Sequence, residues 1–293
     1  MEWTESLKRA VSFMEEHLLE DIGAQDIAAS AYLSPFYFQK GFSMMTGYTV
    51  GEYIRQRRLY LAALDAVSGR HKIIDLAYKY GYQTPESFTK AFTRFHGISP
   101  MQIKQHAAKI TVFLPLKITV TIQGGIDMDF TVEQMDSMQV IGLQRVFPFE
   151  GAYQTLPAFW CEFGARCCGS SESPKDDVQK AVERCVVGEF GICIDDQPEG
   201  GNFRYMIAGR YDGGTIPDAM TTYTIPAGLW AKFRCLGPMP VALQSVNTKI
   251  FHEWLPGNPD YEVAAGFNIE WYSMGDMSAI DYESEIWIPV RRK

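Results

Sequence analysis

Apolar residues in the first hundred positions recur every three or four residues, the spacing that places side chains on one face of a helix. The first such set is Leu7, Ala10, Val11, Met14 and Leu18. The same spacing predicts further short helices over residues 24–31, 35–45, 50–67, 73–80, 85–95 and 100–107. No alternating run interrupts them, so the pattern predicts an all-α region.

The pattern changes after residue 108. Residues 109–127 combine Leu114-Pro115-Leu116, an alternating run and Gly124-Gly125, which predicts an extended linker ending in a turn. Alternation then predicts strands over residues 128–133, 140–147, 191–195, 203–210, 229–234, 263–272 and 284–290, with helices over 155–167, 175–185 and 240–254. We therefore expect an α+β domain over residues 128–293, after a helical domain over residues 1–108.

A repeat of fifty residues runs through the helical region. Pro35, Phe38, Lys40, Phe42 and Gly47 recur as the same residue types at positions 85, 88, 90, 92 and 97. Each copy reads as a short helix, a tight turn and a second helix, the arrangement that places a recognition helix in the major groove. The repeat therefore predicts a double helix-turn-helix that binds double-stranded DNA.

The second helix of each copy has two distinct stripes. One stripe is apolar and predicts the core: Phe38, Phe42 and Met45 in the first copy, and Phe88, Ala91, Phe92 and Phe95 in the second. The opposite stripe carries side-chain types that can contact base edges or a thymine methyl. These candidates are Phe36, Gln39, Lys40, Ser43, Glu86, Thr89 and Lys90. A merely solvated helix face is the alternative.

The second copy contains the series Gly81-Tyr82, Ser87-Phe88, Lys90, Phe92, Phe95, Gly97-Ile98 and Ser99-Pro100. This series resembles the signature of the AraC/XylS family of bacterial transcription regulators, and the resemblance covers residues 3–108. It implies seven helices, of which the third and sixth read adjacent major grooves. Tyr32-Leu33 departs from the family, which usually has glycine and then an aromatic residue in the first turn; glycine suits a left-handed position at least cost.

Charge narrows the choice of DNA-binding region. The 293 residues carry a formal net charge of −8, which gives no general attraction to phosphate. Residues 1–109 hold 13 Lys and Arg against 11 Asp and Glu, whereas the remaining residues hold 14 against 24. We therefore expect the first part of the chain to bind the DNA.

Composition also argues against several classes of protein. The six cysteines lie between Cys161 and Cys235 without a Cys-x-x-Cys pair or a histidine at zinc spacing, so we expect reduced thiols, no metal site and no cofactor. No apolar run is long enough to cross a bilayer, and the first residues lack a secretory signal. We expect a cytoplasmic protein without a membrane partner.

The second region contains short motifs in a characteristic order: Ile141-Gly142, residues 156–160, Gly191-Ile192-Cys193, Tyr205, and residues 225–228, 250–256, 268–272 and 285–289. Together they resemble the GyrI-like small-molecule-binding domains of multidrug-responsive regulators, over nearly all of residues 128–290. The resemblance implies two pseudo-symmetric strand-helix-strand-strand modules of SHS2 type that enclose a pocket.

Glu270 is the main candidate for ligand binding. Alternation places it with Asn268 and Tyr272 on one strand face, and burying its carboxylate in an aromatic cavity is costly unless a cation matches it. The resemblance puts the family's cation-recognising glutamate at this position. We therefore expect an aromatic or lipophilic cationic effector, stacked on Trp160, Tyr205, Tyr272, Tyr153 and Trp230. A solvent-facing glutamate and ordinary core aromatics are the alternatives.

Together the two regions predict a ligand-responsive transcription regulator without catalytic residues. One alternative is a hydrolase of reactive electrophiles, in which Glu270 and a tyrosine act as general base and acid. Another is a DNA-binding scaffold with a vestigial pocket. RNA polymerase is an additional candidate partner, and the sequence leaves the choice between monomer and dimer open.

Overall fold

The computed structural model of the chain describes residues 3–118, 128–148, 152–167, 175–194 and 202–293. Its contacts divide the chain into two compact units. The helical unit comprises Thr4–Leu33 and Thr46–Thr121, and the sheet unit comprises Met1–Trp3, Ser34–Met45 and Ile122–Lys293. The predicted linker falls partly outside the described residues. The predicted domain boundaries therefore stay a prediction, and residues 34–45 group with the sheet.

Six α-helices occupy residues 3–96, all of which the structure describes: α1 (Trp3–Glu16), α2 (Ala24–Ser30), α3 (Pro35–Thr46), α4 (Val50–Ser68), α5 (Ile73–Lys79) and α6 (Pro85–His96). Their ends follow from local chemistry. The Thr84 hydroxyl caps α6 by accepting the Ser87 amide at 3.2 Å, and Gly97 ends it with a left-handed φ of 71°. The six predicted helices over residues 3–95 are confirmed.

The seventh helix, expected over residues 100–107, is not an α-helix. Two short 3₁₀ turns, Ile103–Gln105 and Ala107–Lys109, replace it. The amide of Gln102 bonds the Ser99 carbonyl at 3.1 Å, which is a three-residue spacing. His106 then leaves the helical region with φ −134° and ψ 45°, so the two turns cannot join into a longer helix.

The turns of the two repeat copies have the same backbone form. In the second copy Gly81 has φ 81°, and the Tyr82 amide donates to the Ala77 carbonyl at 2.9 Å. In the first copy Tyr32 takes the left-handed position with φ 56°. The departure from glycine at this position therefore leaves the turn intact, with a tyrosine in a conformation that costs about 1–2 kcal/mol.

A buried ion pair links α1 to α4 within the helical unit. Arg57, 4% exposed, donates from Nε and one terminal nitrogen to the two Glu15 carboxylate oxygens at 2.8 and 2.7 Å. The Tyr53 hydroxyl donates to Glu15 at 2.6 Å, and Arg57 also donates to the Phe113 carbonyl. Arg57 is therefore a structural residue, because its guanidinium is already satisfied inside the unit.

The core of the helical unit contains a neutral histidine. His96 is 5% exposed; its Nε2 donates to the Leu59 carbonyl at 3.1 Å, and its Nδ1 accepts the Thr111 amide at 3.1 Å. Burial lowers the pKa of His96 below the ordinary value of 6.5.

This lowered pKa predicts acid sensitivity. Because the folded pKa lies below the unfolded one, the unfolded chain binds the extra proton first as the pH falls. The stabilisation is thus complete above about pH 6.5 and declines from there towards the folded pKa. We expect denaturant unfolding of the wild type to require less denaturant at pH 5.5 than at pH 7.5. His96→Gln should flatten this dependence, and His106→Gln, at an exposed position, should leave it unchanged.

Nine strands in the described residues form the antiparallel sheet of the second unit: β1 (Phe130–Met135), β2 (Met138–Pro148), β3 (Phe190–Ile194), β4 (Asn202–Arg210), β5 (Thr221–Ile225), β6 (Gly228–Leu236), β7 (Tyr261–Val263), β8 (Phe267–Tyr272) and β9 (Glu283–Arg292). The spatial order is β1-β6-β9-β8-β3-β4-β2-β5, and β7 pairs with β9. The predicted α+β class is confirmed. Strand β5 and the separation of β7 from β8 were not predicted.

Helices α7 (Ala152–Cys167), α8 (Asp177–Arg184) and α9 (Val241–Lys249) accompany this sheet, and α9 continues through a π turn, Ile250–Trp254, into a last helical turn, Leu255–Gly257. The strand order is symmetric about the β3–β8 pair, with β4 and then β2 on one side and β9 and then β6 on the other. The two halves correspond to the two expected modules.

No helix among the described residues is long and apolar enough to cross a membrane.

Candidate functional site

The centre of the sheet presents one apolar and one mixed face. Ile192 and Ile269 pair in the β3–β8 register and belong to a buried apolar cluster. Because side chains alternate, the neighbouring pair Gly191 and Glu270 lies on the other face. Asn268 and Tyr272 accompany Glu270 on that face, as predicted from the sequence. We call it the Glu270 face.

Four side chains on and above this face form one hydrogen-bonded cluster. The hydroxyls of Tyr205 and Tyr272 both donate to Glu270 Oε2, at 3.0 and 2.8 Å. The indole nitrogen of Trp160, on α7, donates to the Tyr205 hydroxyl at 3.0 Å. The rings of Trp160 and Tyr272 meet edge to face, 5.2 Å between centroids. We call these four residues the Glu270 cluster.

The electrostatics of the cluster are those of an acidic, aromatic site. Burial, with the nearby Glu270 charge, raises the pKa of Tyr205 and of Tyr272 well above 10. Both phenols therefore keep their protons and hold the carboxylate as donors. Among the described residues, no Lys, Arg or His nitrogen lies within 4.0 Å of the Glu270 carboxylate. The site thus offers a positioned negative charge between aromatic rings.

Gly191 makes room for this arrangement, and sequence reasoning did not assign it to the site. A β-carbon at position 191 would overlap the Tyr205 hydroxyl and lie 3.1 Å from Glu270 Oε2. Glycine in the middle of a central strand is unfavourable unless another group approaches closely. A glycine within the predicted strand was therefore the feature of the sequence that could have assigned this position to the site. Cys193, two residues on, is buried on the same face.

The structure brings together three of the five aromatic residues predicted to surround the ligand, namely Trp160, Tyr205 and Tyr272. The prediction for Trp230 is corrected: it belongs to the apolar cluster of the opposite face, where its ring packs 5.4 Å from that of Phe267. Its position in the β6 alternation turns it away from Glu270. The side chain of Tyr153 lies outside the described residues.

The described residues offer no group of three His, Cys, Asp or Glu side chains arranged to hold a metal ion. The Glu270 cluster contains one carboxylate and two phenols, which suits a cation held by charge and ring faces.

The candidate DNA-contacting residues differ between the two copies. On α6, Glu86 and Lys90 are exposed and Thr89 is half-buried, so this helix has an open polar face. On α3, Gln39, Lys40 and Ser43 are half-buried. Phe36 is 2% exposed and packs against the Phe203 ring, 6.0 Å between centroids. The expectation of an open face at Phe36 is therefore wrong in this structure, and the roles of all seven towards DNA stay predictions.

Residues 131–290 match the integron-associated effector binding protein family, and residues 27–106 match a helix-turn-helix domain family. The first match covers more than half of the chain. The chain belongs to the integron-associated effector binding proteins. This family assignment agrees with the GyrI-like resemblance found in the sequence.

Relatives extend the assignment to the helical region of this effector binding protein. The regulatory protein SoxS of Salmonella typhimurium is 33% identical over 88 residues, which is 30% of this chain and 82% of SoxS. The uncharacterized HTH-type transcriptional regulator YbfP of Bacillus subtilis is 33% identical over 100 residues, 34% of each chain. The protein is thus an AraC-type DNA-binding regulator with a GyrI-like effector-binding domain.

One solved structure similar to this effector binding protein is that of SAV2435 bound to tetraphenylphosphonium. It is 22% identical, covers 56% of this chain and 94% of its own, and gives a TM-score of 0.47.

Proposed function

We propose that this regulator senses an aromatic cation at the Glu270 cluster and binds promoter DNA through its helix-turn-helix copies. The observation that carries the proposal is the position of the Glu270 carboxylate, held by two phenols and flanked by the Trp160 indole. A cation over such rings gains about 0.5–2 kcal/mol from each favourable cation–π contact, in addition to its attraction to the carboxylate.

Sensing fits the cluster better than turnover does. A hydrolase would need one tyrosine to give its proton to a leaving group. The raised pKa values of Tyr205 and Tyr272 make both phenols poor general acids near neutral pH. We therefore propose that the effector is bound and released unchanged, and that the protein is not an enzyme.

Titration of the full chain with tetraphenylphosphonium tests this proposal. We expect saturable binding by calorimetry, and we expect Glu270→Gln to weaken it at least about tenfold, because the amide keeps the shape but loses the charge. Glu133→Gln is the matched control, since it removes a negative charge from an exposed position on β1.

Equal affinity of the wild type and Glu270→Gln for the cation would contradict the proposed site. Turnover of a reactive electrophile that is lost in Glu270→Gln would favour the hydrolase.

A further inference from the structure

Helix α3 covers part of the Glu270 face. The Lys40 ammonium donates to Asn268 Oδ1 at 3.3 Å, and Asn268 is two residues from Glu270 on β8. The Phe36 ring packs against Phe203, which is two residues from Tyr205 on β4. Because residues two apart share a face, both contacts adjoin the Glu270 cluster.

Further contacts hold α3 in this position. Tyr37 is 2% exposed, and its hydroxyl donates to the Phe267 carbonyl at 3.1 Å. The His252 Nε2 lies 2.9 Å from the Met44 carbonyl. Gly41 allows a close approach, because a β-carbon there would overlap the Trp3 ring and lie 3.0 Å from the Phe251 ring. The helix is therefore packed along its length rather than touched at one end.

The repeat provides an internal comparison for α3. The corresponding helix α6 carries five exposed polar side chains: Glu86, Ser87, Lys90, Thr93 and Arg94. No side chain of α3, all of which the structure describes, is exposed. The residue types differ in the same way at three equivalent pairs of positions, where α3 has an apolar or aromatic residue and α6 a polar one: Phe36 and Glu86, Tyr37 and Ser87, and Met44 and Arg94. The side of α3 opposite Phe38 and Phe42, its outer stripe, thus has the composition of a surface that packs on protein.

Lys40 also gives α3 a charge that complements the site. The pKa of the buried Cys193 thiol is raised by burial and by Glu270, and Lys40 acts in the opposite direction. The ammonium and the carboxylate therefore act on the same buried thiol. In this arrangement α3 of the same chain supplies an aromatic ring, that of Phe36, and a positive charge, that of Lys40, next to the acidic face.

We propose that α3 is an internal ligand of the Glu270 face, which competes with the aromatic cation and is withheld from DNA while it is docked. This inference rests on the proposed function and adds its regulation. A helix with no exposed side chain cannot place side chains against base edges. An effector that displaces α3 therefore favours the DNA-binding form, and the effector and DNA must strengthen each other's binding.

His252→Ala tests the competition from the sheet side, because His252 is exposed and lies outside the helix-turn-helix copies. Loss of its hydrogen bond should weaken α3 docking about fivefold. Both tetraphenylphosphonium and a duplex selected from a random pool by the full chain should then bind up to about fivefold more tightly. Tyr37→Phe should act in the same direction. Thr248→Ala, whose hydroxyl bonds within α9, is the control.

Two further measurements complete the test on the full chain. Tetraphenylphosphonium should tighten binding of the selected duplex to the wild type, and this effect should shrink in His252→Ala. Saturating cation should also speed amide hydrogen exchange across residues 36–45.

The outcomes separate this inference from the proposed function. If the cation binds through Glu270 but leaves duplex affinity and α3 exchange unchanged, competition is overturned and the effector site stands. If the cation does not bind, the proposed function fails. The duplex-binding measurements then still test the role of α3. Equal duplex affinity of the wild type, His252→Ala and Tyr37→Phe would overturn its inhibitory role.

Discussion

Gly191→Ala is expected to reduce tetraphenylphosphonium affinity by more than about tenfold. Its β-carbon would overlap the Tyr205 hydroxyl, which accepts a hydrogen bond from Trp160 and donates one to Glu270, and the Tyr205 side chain is buried. The ring cannot move aside without breaking these hydrogen bonds. Overpacking of this kind also costs about 1–3 kcal/mol of stability. Calorimetric titration and denaturant unfolding of the same preparation measure both effects.

Gly228→Ala is the matched control for this substitution. Gly228 is also a strand glycine, on β6, but a β-carbon there meets no atom within 4 Å. We expect this variant to bind the cation like the wild type. Wild-type affinity in Gly191→Ala would show that the Tyr205 position does not matter for binding.

Glu15→Ala is expected to destabilise the helical unit by about 3–5 kcal/mol. Removing the carboxylate leaves the Arg57 guanidinium buried with the Phe113 carbonyl as its remaining acceptor among the contacts described above, and it removes the Glu15 oxygen to which the Tyr53 hydroxyl donates. An uncompensated buried charge is costly because little water can replace the lost partner. Denaturant unfolding followed by helical circular dichroism measures the loss.

The neighbouring substitution Glu16→Ala is the control, because Glu16 is exposed on the same helix. Its effect should stay within about 0.5 kcal/mol. A similar small effect for Glu15→Ala would mean that the ion pair contributes no more than a surface pair.

The predicted helices and most strands agree with the structure because their apolar spacing is long and regular. Strand β5, Thr221–Ile225, was missed because its five residues are mostly half-buried or exposed and give too short an alternation. Phe36 was misplaced for a different reason. A helix-turn-helix pattern predicts one buried stripe, whereas α3 also buries its outer stripe against residues more than 160 positions away in sequence.

For the site, Glu270 and Tyr272 follow from alternation within one strand, which is a local property. Gly191 depends on the pairing of β3 with β8, and no local pattern fixes that register across almost eighty residues. Trp230 was predicted from residue type alone, and its position in the β6 alternation places it on the other face. Local chemistry thus identified the carboxylate, whereas long-range pairing determined which groups enclose it.

The edge strands of the sheet have a consequence for how this unit is built. Consecutive strands β1 and β2 are joined by two residues, yet β1 pairs with β6 and β2 pairs with β4 and β5. The connection between β5 and β6 is equally short, and β5 crosses to β2. Each half of the sheet therefore has as its outermost strand a segment that is joined by a short connection to the other half: β5 pairs with β2, and β1 pairs with β6. This arrangement is like a domain swap within one chain. A fragment cut between β4 and β5 would expose unpaired edges, so its expected fate is reciprocal dimerisation or aggregation.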